Sequence, residues 1–193
     1  MKILNAANLL TLLRLALVIP LFALSVERQY YWIALLLFWF AMLTDMFDGY
    51  VARRYKMITN LGKFMDQITD KIVINAILLI FLWARELPLW FVAIIILRDI
   101  LVGGVRMFLA SRSVVVAANV WGKMKTTLQT ILISLVYLSP YFNLKLLIDI
   151  FVYLTAVVAL YSGYTYFMEA VPYFLEKHEE GSDDDERKTS VAG

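Results

Sequence analysis

The sequence predicts an all-α integral membrane protein: six transmembrane helices with a polar site facing the cytoplasm. Three observations carry that prediction. Apolar residues make up 62% of the 193, against roughly 45–50% in ordinary soluble domains. Mean hydropathy is +0.73. The apolar residues also fall in six long runs, each near the ~20 residues that a spanning helix requires. A soluble domain of this length could not bury so much apolar surface, and a chain with no cysteine is not a disulfide scaffold. Unbroken apolar runs also exclude a membrane β-barrel, whose strands alternate apolar and polar residues.

The runs lie near 8–27, 30–52, 66–84, 88–111, 122–142 and 146–171. Brief polar signals separate them, such as Glu27-Arg28-Gln29, Arg85-Glu86-Leu87-Pro88, and Ser139-Pro140 to Lys145. Pro20 falls inside the first run, where a membrane helix accommodates it with a kink. Asn8, Thr11 and Arg14 interrupt the N-terminal run, which argues against a cleaved secretory signal. Without a repeat or a flexible linker, the expectation is one six-helix catalytic domain over 1–172. An acidic, polar, disordered tail over 173–193 follows it, with Asp183-Asp184-Asp185-Glu186 at its centre.

Loop charges set the expected orientation. Arg53, Arg54, Lys56 and Lys63 flank the second connection, and Arg106, Arg112, Lys123 and Lys125 the fourth; the opposite side has only Arg28, Arg85 and Lys145. The positive-inside rule then places the basic connections and both termini in the cytoplasm.

Ionisable residues at membrane depth are costly and mark function. Asp45 and Asp48 sit near the cytoplasmic end of the second run, Asp66 and Asp70 at the start of the third. At about 100° per residue, Asp45, Asp48, Gly49 and Ala52 share one helical face, and Gly62, Asp66 and Asp70 form a second stripe. Four carboxylates gathered in a low dielectric repel one another, and divalent cations relieve that repulsion. All-oxygen ligands suit Mg²⁺ or Mn²⁺; with no Cys, and His178 alone in the tail, soft-metal ligands are missing. Gly49, Ala52 and Gly62 leave room for a bulky ligand, and Arg53 offers a charge to phosphate. Any one of these acids alone reads as a helix cap or surface charge, and the small residues alone as packing positions. Together they indicate metal-assisted phosphoryl chemistry.

The pattern Asp45-x2-Asp48-Gly49-x2-Ala52-Arg53-x8-Gly62-x3-Asp66-x3-Asp70 resembles the complete signature of the CDP-alcohol phosphatidyltransferases. Eight fixed positions match by chance with a probability on the order of 10⁻¹⁰. That family moves a phosphatidyl group from a CDP-linked lipid to an alcohol and releases CMP. The resemblance implies that Asp45, Asp48, Asp66 and Asp70 hold two divalent cations, Mg²⁺ or Mn²⁺, and that Asp70 is also the general base. It further implies that Gly49, Ala52, Arg53 and Gly62 line the CDP site. Two such cations balance four carboxylates, so a pyrophosphate leaves about two negative charges for nearby cations to answer.

Arg98 and Asp99 lie about eleven residues into the fourth run, roughly 16 Å deep, and Asp99, Gly103 and Arg106 share one face. Lys123 and Lys125 open the fifth run. A structural Arg98–Asp99 pair, with lysines placed by the positive-inside bias, is the competing account of these groups. The stretches Leu97-Arg98-Asp99-Ile-Leu-Val-Gly-Gly-Val-Arg106 and Trp121-Gly122-Lys123-x-Lys125-Thr126-x2-Gln129 resemble those of the bacterial phosphatidylglycerophosphate synthases within that family. The opening Asn8-x2-Thr11-x2-Arg14 does so too, adding Asn8 and Thr11 to the CDP site. The departures are Asp99 in place of Glu and Gly104-Val105 in place of Gly-Leu.

The acceptor so implied is glycerol 3-phosphate, its phosphate met by Arg106, Lys123, Arg98 and Lys125. Inositol phosphate, phosphatidylglycerol or serine are alternative acceptors for the same chemistry, and a divalent-cation transporter is the alternative of a different class. The implied partners are CDP-diacylglycerol, glycerol 3-phosphate, membrane lipid and a second copy of the chain, with no nucleic acid. The implied location is a bacterial cytoplasmic membrane.

Overall fold

The structure is a computed structural model. It describes the backbone of residues 6–54, 60–111 and 119–190, and the side chains of 16–44, 69, 71–110 and 119–173. Among the described residues six α-helices follow in order: α1 Ala6–Val26, α2 Tyr31–Arg54, α3 Asn60–Trp83, α4 Leu89–Ser111, α5 Val120–Leu138 and α6 Lys145–Ser190. One short 3₁₀ turn, Arg28–Tyr30, precedes α2, and no strand occurs among the described residues.

Each helix falls on one of the predicted apolar runs, and the differences lie at the ends. α3 starts at Asn60 rather than 66. α5 stops at Leu138 rather than 142: Ser139 still has helical dihedrals, but Pro140 lacks the N–H needed to continue the ladder. The chain turns there through Ser139 and Tyr141, whose N–H groups donate to the carbonyls of Val136 and Leu138. α6 differs most. Its backbone stays helical past Pro172 to Ser190, through the segment for which composition predicts a disordered tail.

The helices associate as two groups. α1 packs on α2 and α3, while α6 packs on α4 and α5. Lighter contacts of α2 with α5, and of α3 with α4 and α5, join the groups. An aromatic cluster fastens this seam. The Tyr137 ring of α5 lies 4.9 Å from Phe81 of α3 and 5.4 Å from Tyr31 of α2, both edge-on, with Phe38 of α2 at 6.3 Å. The Tyr137 hydroxyl pairs with that of Ser25 at 2.6 Å, and Ser25 donates to the Leu21 carbonyl within α1. Beyond this cluster, Arg28 donates from Nε to Glu86 at 2.6 Å, tying the α1–α2 turn to the α3–α4 turn.

Outside the core the surface stays apolar. Trp83, Leu89, Leu101, Leu146 and Val157 are each more than three-fifths exposed. Within the described residues, Lys145–Tyr173 is a 29-residue stretch of hydropathy 2.0, long and apolar enough to cross a bilayer.

Phe81 is fully buried between Tyr31 and Tyr137. Phe81→Ala is expected to destabilise the protein by about 3–5 kcal/mol, the range for removing a buried phenyl ring. Phe81→Leu, which keeps most of the volume, should lose much less. Thermal unfolding of the purified protein measures both.

Candidate functional site

Where α3, α4, α5 and α6 meet, the apolar interior gives way to a cluster of buried charge. Asp99 of α4 is 4% exposed and Lys125 of α5 is 2% exposed. The Lys125 ammonium donates to both Asp99 carboxylate oxygens at 2.8 Å. Arg98 donates from Nη1 to Asp99 Oδ1 at 3.1 Å and from Nη2 to the Ser162 hydroxyl of α6. Its guanidinium also stands 5.8 Å from the ring centroid of Tyr166, within the range of a cation–π contact. Lys71 of α3 donates to the backbone carbonyl of Asp99 at 3.0 Å.

Two glycines make this crowding feasible. A Cβ on Gly103 would stand 2.7 Å from Lys71 Nζ, and one on Gly163 would stand 3.3 Å from Arg98 Cγ. Glycine at 103 opens the lane by which the Lys71 side chain reaches the α4 backbone. The light α3–α4 packing beside it leaves an open cavity of about 610 Å³, lined by Lys71, Asn75, Asp99, Gly103 and Gly104 with apolar neighbours.

Among the described residues, three cations thus gather at Asp99: Lys125 and Arg98 on its carboxylate and Lys71 on its backbone carbonyl. Lys71 immediately follows Asp70 on α3. Buried charge of one sign is costly, so cations in excess of Asp99 favour anions nearby.

The sequence-predicted site residues distribute as follows. Asn8 and Thr11 lie in the first turns of α1. Asp45, Asp48, Gly49, Ala52 and Arg53 occupy the C-terminal part of α2, and Gly62, Asp66 and Asp70 the N-terminal part of α3. The side chains of all ten lie outside the described residues. The helical backbone keeps Asp45 and Asp48 at a spacing of three and Asp66 and Asp70 at a spacing of four, which puts each pair on one helix face. Their donor set is all oxygen, as Mg²⁺ and Mn²⁺ require.

Arg98 and Lys125 come together on Asp99. The side chains of Arg106 and Lys123 make no hydrogen bond or ion pair among the described residues; Arg106 is half-buried on α4, while Lys123 is exposed on the first turn of α5. Sequence reasoning missed Lys71, Asn119, Ser162 and Tyr166. Lys71 carried a usable signal, being a cation one position past Asp70 inside an apolar run. The other three are small or aromatic residues with no pattern of their own.

Residues 4–161 match the family model for CDP-alcohol phosphatidyltransferases. The chain belongs to the CDP-alcohol phosphatidyltransferase family. Relatives named CDP-diacylglycerol–glycerol-3-phosphate 3-phosphatidyltransferase include one from Bacillus subtilis, 35% identical over 187 residues, covering 84% of this chain and 93% of the relative. Those from Rickettsia bellii and Yersinia enterocolitica are 33% and 34% identical. They cover 88% and 90% of this chain, and 97% and 98% of the relatives. A "probable phosphatidylglycerophosphate synthase" from Mycobacterium tuberculosis is 38% identical over 144 residues, covering 69% of this chain and 66% of that protein. The resemblance carried by the eight-residue signature therefore holds across α1 to α5 and the start of α6. In this phosphatidyltransferase the charge cluster belongs to α3–α6, beside the signature rather than within it.

The two α4 glycines respond differently to a methyl group. Gly104 has nothing within 4 Å of an added Cβ, so Gly104→Ala is expected to stabilise the helix by up to about 1 kcal/mol. Gly103→Ala makes the Lys71 ammonium, the mobile end of a flexible side chain, shift and weakens its hydrogen bond to Asp99, so it should gain less than Gly104→Ala. Comparing the thermal unfolding of the two variants measures the difference.

Proposed function

We propose that this phosphatidyltransferase transfers the phosphatidyl group of CDP-diacylglycerol to sn-glycerol 3-phosphate, giving phosphatidylglycerophosphate and CMP. The observation that carries this reading furthest is the surplus of cations over carboxylates around Asp99 among the described residues, on or next to the helices that bear the four aspartates. Four carboxylates with two divalent cations are neutral, so a bound pyrophosphate adds about two negative charges. Lys71, Arg98 and Lys125 against Asp99 supply the balancing excess. The names of the relatives support glycerol 3-phosphate as the acceptor.

In this reading Asp45, Asp48, Asp66 and Asp70 hold two Mg²⁺ or Mn²⁺ ions. Bound there, the ions would polarise the pyrophosphate and stabilise the departing CMP. Asp70 accepts the proton of the acceptor hydroxyl as its oxygen attacks the phosphorus that bears the diacylglycerol. The bond from that phosphorus to the oxygen bridging to CMP breaks, and CMP leaves with the electron pair. Gly49, Ala52, Gly62, Asn8 and Thr11 line the CDP pocket, and Arg53 faces its phosphates.

Arg106 and Lys123, whose side chains have no hydrogen-bond or ion-pair partner among the described residues, take the acceptor phosphate. Arg98 and Lys125 support that site through Asp99, adding positive potential while the Lys125 ammonium and both Arg98 Nη atoms stay hydrogen-bonded. The proposal also includes six membrane spans over a single domain 1–172, with the active site and both termini on the cytoplasmic side of a bacterial cell membrane, and a homodimer. The apolar outer surface of the bundle supports membrane embedding, since lipid rather than water stabilises so many exposed Leu, Val and Trp side chains.

The test is CMP release by purified protein supplied with CDP-diacylglycerol, a divalent cation and a panel of acceptors. Release is expected with glycerol 3-phosphate, should stop on adding EDTA, and should fall at least ~10²-fold in Asp70→Asn while thermal unfolding is unchanged. Turnover with inositol phosphate alone would overturn the acceptor and leave the family chemistry standing. Cation flux without CMP would overturn the reaction itself.

A further inference from the structure

Tyr166 of α6 lies beyond residue 161, where the family match ends, yet it is 4% exposed and joined to two other helices. Its hydroxyl accepts the backbone N–H of Asn119 at 2.9 Å. Asn119 is the N-cap of α5. Its side-chain oxygen accepts the Trp121 N–H at 3.2 Å, and its carbonyl accepts the N–H groups of Gly122 and Lys123 at 3.1 and 3.3 Å. The Asn119 amide also donates to Thr165 of α6 at 3.0 Å. A Cβ on Gly122 would lie 3.5 Å from both the ring and the hydroxyl of Tyr166, so α5 rests closely on it. The same ring carries the guanidinium of Arg98, which Ser162 holds one helical turn away.

One α6 side chain therefore registers the first turn of α5, where Lys123 stands, against α4, which bears Arg98 and Arg106. A phosphate site assembled from separate helices depends on that register, because small misplacements of binding groups lower productive binding steeply. We infer that Tyr166 is a positioning residue of the acceptor site. Its hydroxyl fixes the start of α5 and its ring fixes Arg98, so that Lys123 and Arg106 meet the acceptor phosphate at a set separation. This rests on the proposed function above and extends it to a residue outside the signature.

The test uses the full-length enzyme and Tyr166→Phe, which keeps the ring and removes only the acceptor for the Asn119 N–H. The KM for glycerol 3-phosphate is expected to rise about five- to ten-fold, the size of one hydrogen bond. The kcat should stay within two-fold and the KM for CDP-diacylglycerol should not change. Tyr166→Leu, which also removes the cation–π contact, should raise the acceptor KM further. Tyr164→Phe, at an exposed tyrosine of the same helix, should change nothing.

An unchanged acceptor KM in Tyr166→Phe overturns the inference, as does an equal rise in both KM values, which marks a general structural role. Should Tyr166→Phe fail to fold, Thr165→Val probes the same cap through the Asn119 amide, with the same split expected and the same results overturning it. If wild-type enzyme turns over with a different phosphorylated acceptor, the acceptor assignment fails and the split is read on that acceptor. Inactivity of the wild type on every acceptor overturns the function and the inference together.

Discussion

A carboxylate inside an apolar helix bundle cannot stay ionised alone, and the arrangement of α3 to α6 follows from how Asp99 is accommodated. Its two oxygens take the Lys125 ammonium, one of them also takes Arg98, and its backbone carbonyl takes Lys71. Removing one member of a buried pair typically costs about 3–5 kcal/mol, because the other is left charged and unpaired. That penalty forces three helices into a common depth and rotation. Arg98 extends the constraint to α6 through Ser162 and Tyr166, so the C-terminal helix is locked to the same centre. The bond from Lys71 also fixes the axial position of α3 against α4, and with it the position of the backbone at Asp70.

The composition of the cluster matters as much as its geometry. A bundle stabilised only by an ion pair would need one cation for Asp99, and this one has three nearby. Such an excess is unfavourable unless anions offset it. In the proposed reading those anions are the diphosphate and the acceptor phosphate, toward which the three cations add positive potential. Small residues do the complementary work, with Gly103 and Gly163 giving Lys71 and Arg98 the room to converge.

Much of this was legible in the chain. Long apolar runs located all six helices, since length and hydropathy are local properties, and the spacing of Asp45, Asp48, Asp66 and Asp70 announced the family before any coordinates. The Arg98–Asp99 pair was also legible, as neighbouring opposite charges at membrane depth. What could not be read was the partner of Lys125 and the convergence on Tyr166. Both depend on how far each helix is rotated about its axis, and helical periodicity fixes faces within one helix but not the phase between two. Lys125 looked like a phosphate ligand because it follows Lys123 in a basic stretch; two residues of helix turn it about 200° away, from an exposed surface to the buried carboxylate. The helical backbone from Pro172 to Ser190 was equally invisible, because composition speaks to solvation rather than to backbone conformation.

The most direct measurement is a double-mutant cycle on the central pair, using unfolding free energies of Asp99→Asn, Lys125→Gln and the two combined. If the carboxylate and ammonium hold the helices together as described, the double variant retains at least about 1.5 kcal/mol more stability than the sum of the single losses implies. Strictly additive losses would mean that the two groups do not sense each other, and the account of α3 to α6 built on Asp99 would be wrong.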